Sequence, residues 1–126
     1  MSVVGIGTDI IDSERIATMK LSVRDKLALR VLTPTELSIY HSHAQPSQFL
    51  AKRWAAKEAA SKALATGIAK GVSFQHFEIS NTEAGAPVIS LSDVALQKAQ
   101  ELGANHWHVS IADEKHIVTA FVVLSR

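Results

Sequence analysis

One segment constrains the fold more than any other, an alanine-rich stretch from Leu50 to Ile68 that reads LAKRWAAKEAASKALATGI. Its alanine content predicts a helix on which a neighbouring backbone can pack closely. Five polar side chains lie within a few turns: Arg53, Lys57, Glu58, Ser61 and Lys62. Three large apolar side chains share their arc, with the alanines opposite: Leu50, Trp54 and Leu64. Charge mixed with large apolar groups indicates a cleft rather than a fully solvated face.

The composition is typical of one globular domain over residues 1–126. A hydrophobic content of 47% with only three prolines argues against disorder. No apolar run approaches the roughly 20 residues that span a bilayer, and the N-terminal segment lacks a basic leader and carries Asp9. We therefore expect neither a membrane segment nor a signal peptide. The absence of cysteine excludes disulfides and a thiolate zinc site, and we predict a cytoplasmic location.

Charge is nearly balanced overall but uneven along the chain. A net charge of +1 does not indicate nucleic-acid binding. Residues 14–30 nevertheless carry a basic excess, with Glu14 and Asp25 set against Arg15, Lys20, Arg24, Lys26 and Arg30. This local excess predicts a surface that attracts an acidic partner.

The first half of the chain predicts one strand followed by helices. Alternation over 3–10 predicts a strand with Gly5, Gly7 and Asp9 on one face, where a helix or ligand can approach the backbone. Predicted helices begin at a cap, either Asp12 or Ser13 for the first, Ser22 with Asp25 for the second and Thr33 with Glu36 for the third. Pro46 begins the long alanine-rich helix, which ends before Gly67.

The second half changes to strands. Residues 72–79 and 87–91 predict two strands around a turn at 83–85, and a helix follows from Ser92 to Leu102. Residues 106–111 and 116–124 predict a hairpin around a turn at 113–115. Helices early and strands late predict an α+β fold rather than a βαβ alternation.

Two carboxylates are the candidate metal ligands. Asp9 alone is more typical of a cap or a turn, and Glu58 alone suits a salt bridge to Lys62, four residues on. Together they would suit Mg²⁺, which prefers carboxylate oxygen and substrate phosphate. The nearby cations could be solvated, or they could hold the phosphates of a Mg²⁺–pyrophosphate ligand. Two alternatives remain at this point, a binding or structural module and a nucleotide pyrophosphohydrolase.

Three motifs carry a resemblance to a known family: GIGTDIID at 5–12, FLAKRWAAKEAASKALATGI at 49–68 and HVSIADEKH at 108–116. They resemble the holo-[acyl-carrier-protein] synthases, the short 4′-phosphopantetheinyl transferases of bacterial fatty-acid synthesis. The resemblance implies an antiparallel sheet packed against a long central helix, and a homotrimer with active sites between subunits. It implies Mg²⁺-dependent transfer of 4′-phosphopantetheine from coenzyme A to a serine of apo acyl carrier protein, releasing adenosine 3′,5′-bisphosphate.

The resemblance also implies roles for individual residues. Asp9 and Glu58 would be the Mg²⁺ ligands and, with Lys62 at the transferring phosphate, the catalytic residues. The coenzyme A site would also include Arg53, Lys57, Ser61 and Gly67. The acidic carrier protein would dock on Arg15, Arg24 and Arg30. The sequence does not decide whether Glu58 or a water molecule takes the proton of the serine.

This chain departs from the family pattern at three places. Asp12 replaces a frequent glutamate, and Ala65 replaces a frequent glycine before Thr66. Ala112 and Asp113 stand where many members carry serine and histidine. No role of that histidine can therefore be transferred to this chain.

Overall fold

The computed structural model describes residues 2–126. In chain order its elements are β1 Val3–Asp12, α1 Ser13–Ala17, α2 Leu21–Val31, α3 Pro34–Ser42, α4 Pro46–Ala63, β2 Phe77–Asn81, β3 Pro87–Leu91, α5 Asp93–Glu101, β4 His106–Glu114 and β5 Ile117–Ser125. A short 3₁₀ helix, Phe74–His76, precedes β2. Four helices thus lie between the first strand and the later ones, which confirms the predicted α+β class. No helix of the described chain is long and apolar enough to cross a bilayer.

The three-stranded sheet joins the two ends of the chain. Its order is β1-β5-β4 and all pairs are antiparallel, while β2 and β3 form a separate hairpin. The predicted hairpin of β4 and β5 is confirmed. Its turn comes later than predicted because Asp113 and Glu114 still pair with β5, so that the chain reverses at Lys115 and His116.

Helix α4 lies directly on the sheet because two glycines leave room for it. A Cβ atom on Gly7 would collide with the carbonyl oxygen of Ala59, and one on Gly5 with that of Ala63. Both alanines are buried. The alanine face of the helix and the glycine face of the strand therefore meet backbone against backbone. The sequence predicted a close approach at each face but not that each face is the partner of the other.

We expect Gly7→Ala to lower the free energy of unfolding by about 3 kcal/mol, at the upper end of overpacking costs. The atoms that it would meet are backbone atoms of α4, which cannot rotate away. Gly67→Ala is the control, since a Cβ there meets nothing within 4 Å. Its only cost is a Cβ on a left-handed backbone, φ 62, about 1 kcal/mol. Urea denaturation measures both, and equal losses would contradict this packing.

Helix ends agree with the sequence where a capping box is present. Thr33 and Glu36 form the predicted box at the start of α3. The predicted cap at Ser22 is wrong, because α2 begins one residue earlier and Asp25 accepts a hydrogen bond from the Tyr40 hydroxyl at 2.8 Å instead. After α4, Ala65 adopts φ 61, a left-handed conformation that disfavours residues with a Cβ.

One predicted strand is shorter than expected. The strand predicted over 72–79 begins only at Phe77, because Phe74–His76 form the 3₁₀ helix and bury Phe74 in the core. The strand predicted over 87–91 is confirmed in full as β3.

Candidate active site

Asp9 of β1 and Glu58 of α4 meet beside the glycine face of the strand. Both line a cleft of about 300 Å³, the carboxylate cleft, with Arg15 and Trp54 among its other residues. The close approach of α4 to β1 brings the two carboxylates together, although they lie far apart in the sequence. The pair that the sequence predicted as metal ligands is therefore assembled in one cleft.

Lys62 completes this cluster from the next turn of α4. Its Nζ donates to Asp9 Oδ1 at 2.9 Å and to the Thr8 carbonyl at 3.1 Å. The Lys62 side chain is 52% exposed, whereas that of Asp9 is 16% exposed. The ion pair thus joins the helix to the strand instead of running along the helix to Glu58, and it leaves the ammonium within reach of a ligand.

The electrostatics of Glu58 favour a cation. Burial raises the pKa of Glu58, and the nearby Asp9 carboxylate raises it further. The positive charge of Lys62 opposes this shift and lowers the pKa in part. Two carboxylates that repel each other in a partly desolvated cleft gain stability when a divalent cation lies between them. This donor set fits Mg²⁺.

Trp54 is a site residue that sequence reasoning treated only as apolar bulk. It lines the carboxylate cleft, and its indole N–H lies close enough to Glu58 to lower the pKa of that carboxyl. Within residues 2–126, the buried Nε1 atom has no partner at hydrogen-bond geometry. The spacing of four residues between Trp54 and Glu58 was the available signal, since it places both on one face of α4.

Lys57, predicted to contact phosphate, lies in the core of the described structure, and that contact stays a prediction. Lys57 is 0% exposed, and its Nζ donates to Glu36 Oε1 at 2.6 Å and to the Val31 carbonyl at 2.7 Å. Burial lowers the pKa of Lys57, and the Glu36 carboxylate offsets only part of that shift. Lys57 is therefore a core cation that joins α4 to α2 and α3.

Ser61 and Gly67 also lie apart from the carboxylate cleft. Ser61 is fully buried, and its hydroxyl donates to the Glu58 carbonyl at 2.7 Å. Its predicted phosphate contact, like that of Lys57, stays a prediction. Gly67 is half-buried in the turn after α4, where its amide donates to the Ser61 carbonyl at 3.1 Å.

Arg53 lies in a different cleft. It is five residues before Glu58, so the two side chains diverge by about 140° around the helix. Its Nη2 donates to the Ile79 carbonyl at 3.2 Å, and its guanidinium lies 4.0 Å from the ring centre of Phe49. With Gln48 and Lys52 it lines a cleft of about 380 Å³ between α4 and the β2–β3 hairpin, the basic cleft. The structure does not bring Arg53 to Asp9 and Glu58 of its own chain.

The three arginines predicted to meet an acidic partner separate into two kinds. Arg15 lines the carboxylate cleft, and exposed Arg30 is near enough to lower the pKa of Glu58. Arg24 has an internal role, since its Nε donates to the Tyr40 hydroxyl at 2.7 Å and its Nη1 to Ser47 at 3.1 Å. Arg24 thereby ties α2 to α3 and α4.

Comparison with known proteins agrees with this arrangement. The profile of the 4′-phosphopantetheinyl transferase superfamily matches residues 5–121. The holo-[acyl-carrier-protein] synthase of Shewanella baltica is 56% identical over 124 residues, covering 98% of both chains. The crystal structure of holo-[acyl-carrier-protein] synthase from Neisseria meningitidis has a TM-score of 0.89 at 37% identity, covering 99% of this chain and 100% of that one.

A third relative was solved with a bound ligand. The holo-(acyl-carrier-protein) synthase of Bacillus anthracis in complex with CoA (3′,5′-ADP) has a TM-score of 0.79 at 37% identity, covering 97% of this chain and 96% of that one. Fold and site together define a phosphopantetheinyl transferase. The chain belongs to the 4′-phosphopantetheinyl transferase superfamily and, within it, to the holo-[acyl-carrier-protein] synthase family.

Proposed function

We propose that this chain transfers 4′-phosphopantetheine from coenzyme A to a serine of apo acyl carrier protein and releases adenosine 3′,5′-bisphosphate. The observation that carries the proposal is the Asp9–Glu58 pair in one cleft, with Lys62 hydrogen-bonded to Asp9. Family membership supports the donor and the acceptor, and the relative from Bacillus anthracis is described in complex with CoA (3′,5′-ADP).

Asp9 and Glu58 would hold Mg²⁺, which supplies positive charge to the pyrophosphate oxygens and to the transition state. Lys62 has an exposed ammonium beside Asp9, and it stabilises negative charge that develops on the attacked β-phosphate. The serine oxygen forms a bond to the β-phosphorus as the bond from that phosphorus to the bridging oxygen breaks. The bridging oxygen leaves with the bisphosphate.

The serine must lose its proton during this step. Glu58, which lines the carboxylate cleft, is one candidate for the proton acceptor. A water molecule beside the carboxylate is the alternative acceptor. Arg15 at the edge of the cleft and nearby Arg30 would attract the acidic carrier protein towards Glu58.

We further propose a homotrimer with active sites between subunits. The outer face of the three-stranded sheet exposes large apolar side chains, with Ile6 60%, Ile10 66% and Phe121 45% exposed. A face of this kind is typical of a protein contact. The carboxylate cleft and the basic cleft with Arg53 lie on different sides of α4, so one coenzyme A would reach both only if two copies supplied them.

A direct assay tests the function. The protein is incubated with coenzyme A, Mg²⁺ and apo acyl carrier protein, and the mass of the carrier protein is measured by mass spectrometry. A gain of one phosphopantetheine, lost when the metal is chelated, supports the proposal. Cleavage of coenzyme A with an unmodified carrier would indicate a hydrolase, and no reaction would indicate a binding module. A cytoplasmic location stays a prediction.

The assembly makes a separate prediction. We expect Phe121→Asp to dissociate the oligomer, because it places a charge in the centre of the apolar sheet face, and to lower transfer as the shared sites separate. Val88→Asp is the matched control, since Val88 is 41% exposed on β3, outside that sheet. Light scattering measures the mass, and a Phe121→Asp variant that keeps the wild-type mass would contradict this interface.

A further inference from the structure

Asp113 stands at one of the departures from the family pattern, and the structure shows two contacts for it. Its Oδ2 accepts a hydrogen bond from Gln48 Nε2 at 2.8 Å. Its Oδ1 lies 3.4 Å from Lys52 Nζ, and both side chains of this ion pair are more than a third exposed. Asp113 thus joins the end of β4 to the first half of α4.

Both partners of Asp113 line the basic cleft. Arg53, in the same cleft, is largely buried, and its guanidinium is already engaged by the Ile79 carbonyl and lies 3.8 Å from Glu36. Lys52 is more exposed than Arg53 and can turn towards a ligand. Asp113 pairs with this partly exposed cation and places a negative charge beside it.

We propose that Asp113 is a positioning residue that restrains Lys52 and weakens the binding of the phosphates of coenzyme A in the basic cleft. The proposal rests on coenzyme A being the substrate, as proposed above. An anion that enters the cleft competes with Asp113 for Lys52, and the negative charge of Asp113 also repels it. Because the basic cleft lies apart from Asp9 and Glu58, this competition acts on substrate binding and not on the chemical step.

Asp113→Asn tests the proposal, since asparagine keeps an oxygen for Gln48 and removes the charge. We expect the KM for coenzyme A to fall about three- to tenfold, with kcat changed less than twofold. Glu101→Gln is the matched control, because it removes the same charge from α5, where Glu101 pairs with Lys98 at 3.6 Å. That variant should leave the KM unchanged.

A double-mutant cycle shows whether Asp113 acts through Lys52. In a Lys52→Met background, Asp113→Asn should no longer lower the KM, because the cation that it frees is gone. An unchanged or higher KM for Asp113→Asn alone, or a full effect in the Lys52→Met background, would overturn the proposal. If the wild-type protein transfers no phosphopantetheine, the proposed function fails instead. Calorimetric titration with coenzyme A then still reports whether Asp113→Asn tightens binding.

Discussion

Glu58→Gln is expected to lower the rate of phosphopantetheine transfer by roughly 10²- to 10⁴-fold, the range typical of a lost proton acceptor. Glutamine has the size of glutamate but neither the charge that holds Mg²⁺ nor the capacity to take the serine proton. Mass spectrometry of the carrier protein over time measures the rate. Glu83→Gln, in the exposed turn between β2 and β3, is the control and should react at the wild-type rate.

The same substitution should not harm the fold. Burial and Asp9 raise the pKa of Glu58 in the folded chain, so the folded state keeps this proton to a higher pH than the unfolded state does. The stability that Glu58 contributes is therefore complete below its unfolded pKa of about 4.5, and it is lost as the pH rises through its folded value. Without metal, Glu58→Gln should be at least as stable as the wild type at pH 7.5, with the advantage shrinking towards pH 4.

Urea denaturation at several pH values measures this difference. Identical pH dependence in the two proteins would contradict the raised pKa of Glu58. Added Mg²⁺ should raise the melting temperature of the wild type and leave that of Glu58→Gln almost unchanged, because a ligand stabilises only a state that binds it. A near-normal rate of transfer by Glu58→Gln would contradict any catalytic role of Glu58.

The sequence predicted the carboxylate pair because local features determine it. Two glycines on one strand face and a run of alanines on one helix face can pack only against something close. Here each is the partner of the other, so Asp9 beside Gly7 comes to lie near Glu58 beside Ala59. The sequence alone left open whether a helix or a ligand occupies that space.

The sequence could not assign the other helical cations, because helical spacing gives a direction but not what lies there. Lys57 and Glu58 are neighbours separated by about 100° around the helix, and this difference sends Lys57 into the core and Glu58 into a cleft. Glu36 was identified only as half of a capping box. Its second role, as the acceptor for Lys57 and for the Ile79 amide, depends on contacts between distant segments.

The second large effect is expected in the core, where Lys57→Met should lower the free energy of unfolding by about 3–5 kcal/mol. The substitution leaves the Glu36 carboxylate buried, with its backbone donors but without its nearest cation. Lys52→Met, on the partly exposed face of the same helix, should change stability by about 1 kcal/mol or less.

The double variant Glu36→Gln with Lys57→Met identifies the cause. If the cost is the uncompensated charge, neutralising Glu36 should restore part of the stability lost in Lys57→Met, as measured by urea denaturation. If the double variant is no more stable than Lys57→Met, shape and not charge holds the three helices together. Lys57 contacts Glu36 and Val31 and lines neither cleft. At a low temperature at which it is still folded, Lys57→Met should therefore keep nearly the wild-type kcat/KM. A large loss of kcat/KM in that folded variant would return Lys57 to the coenzyme A site.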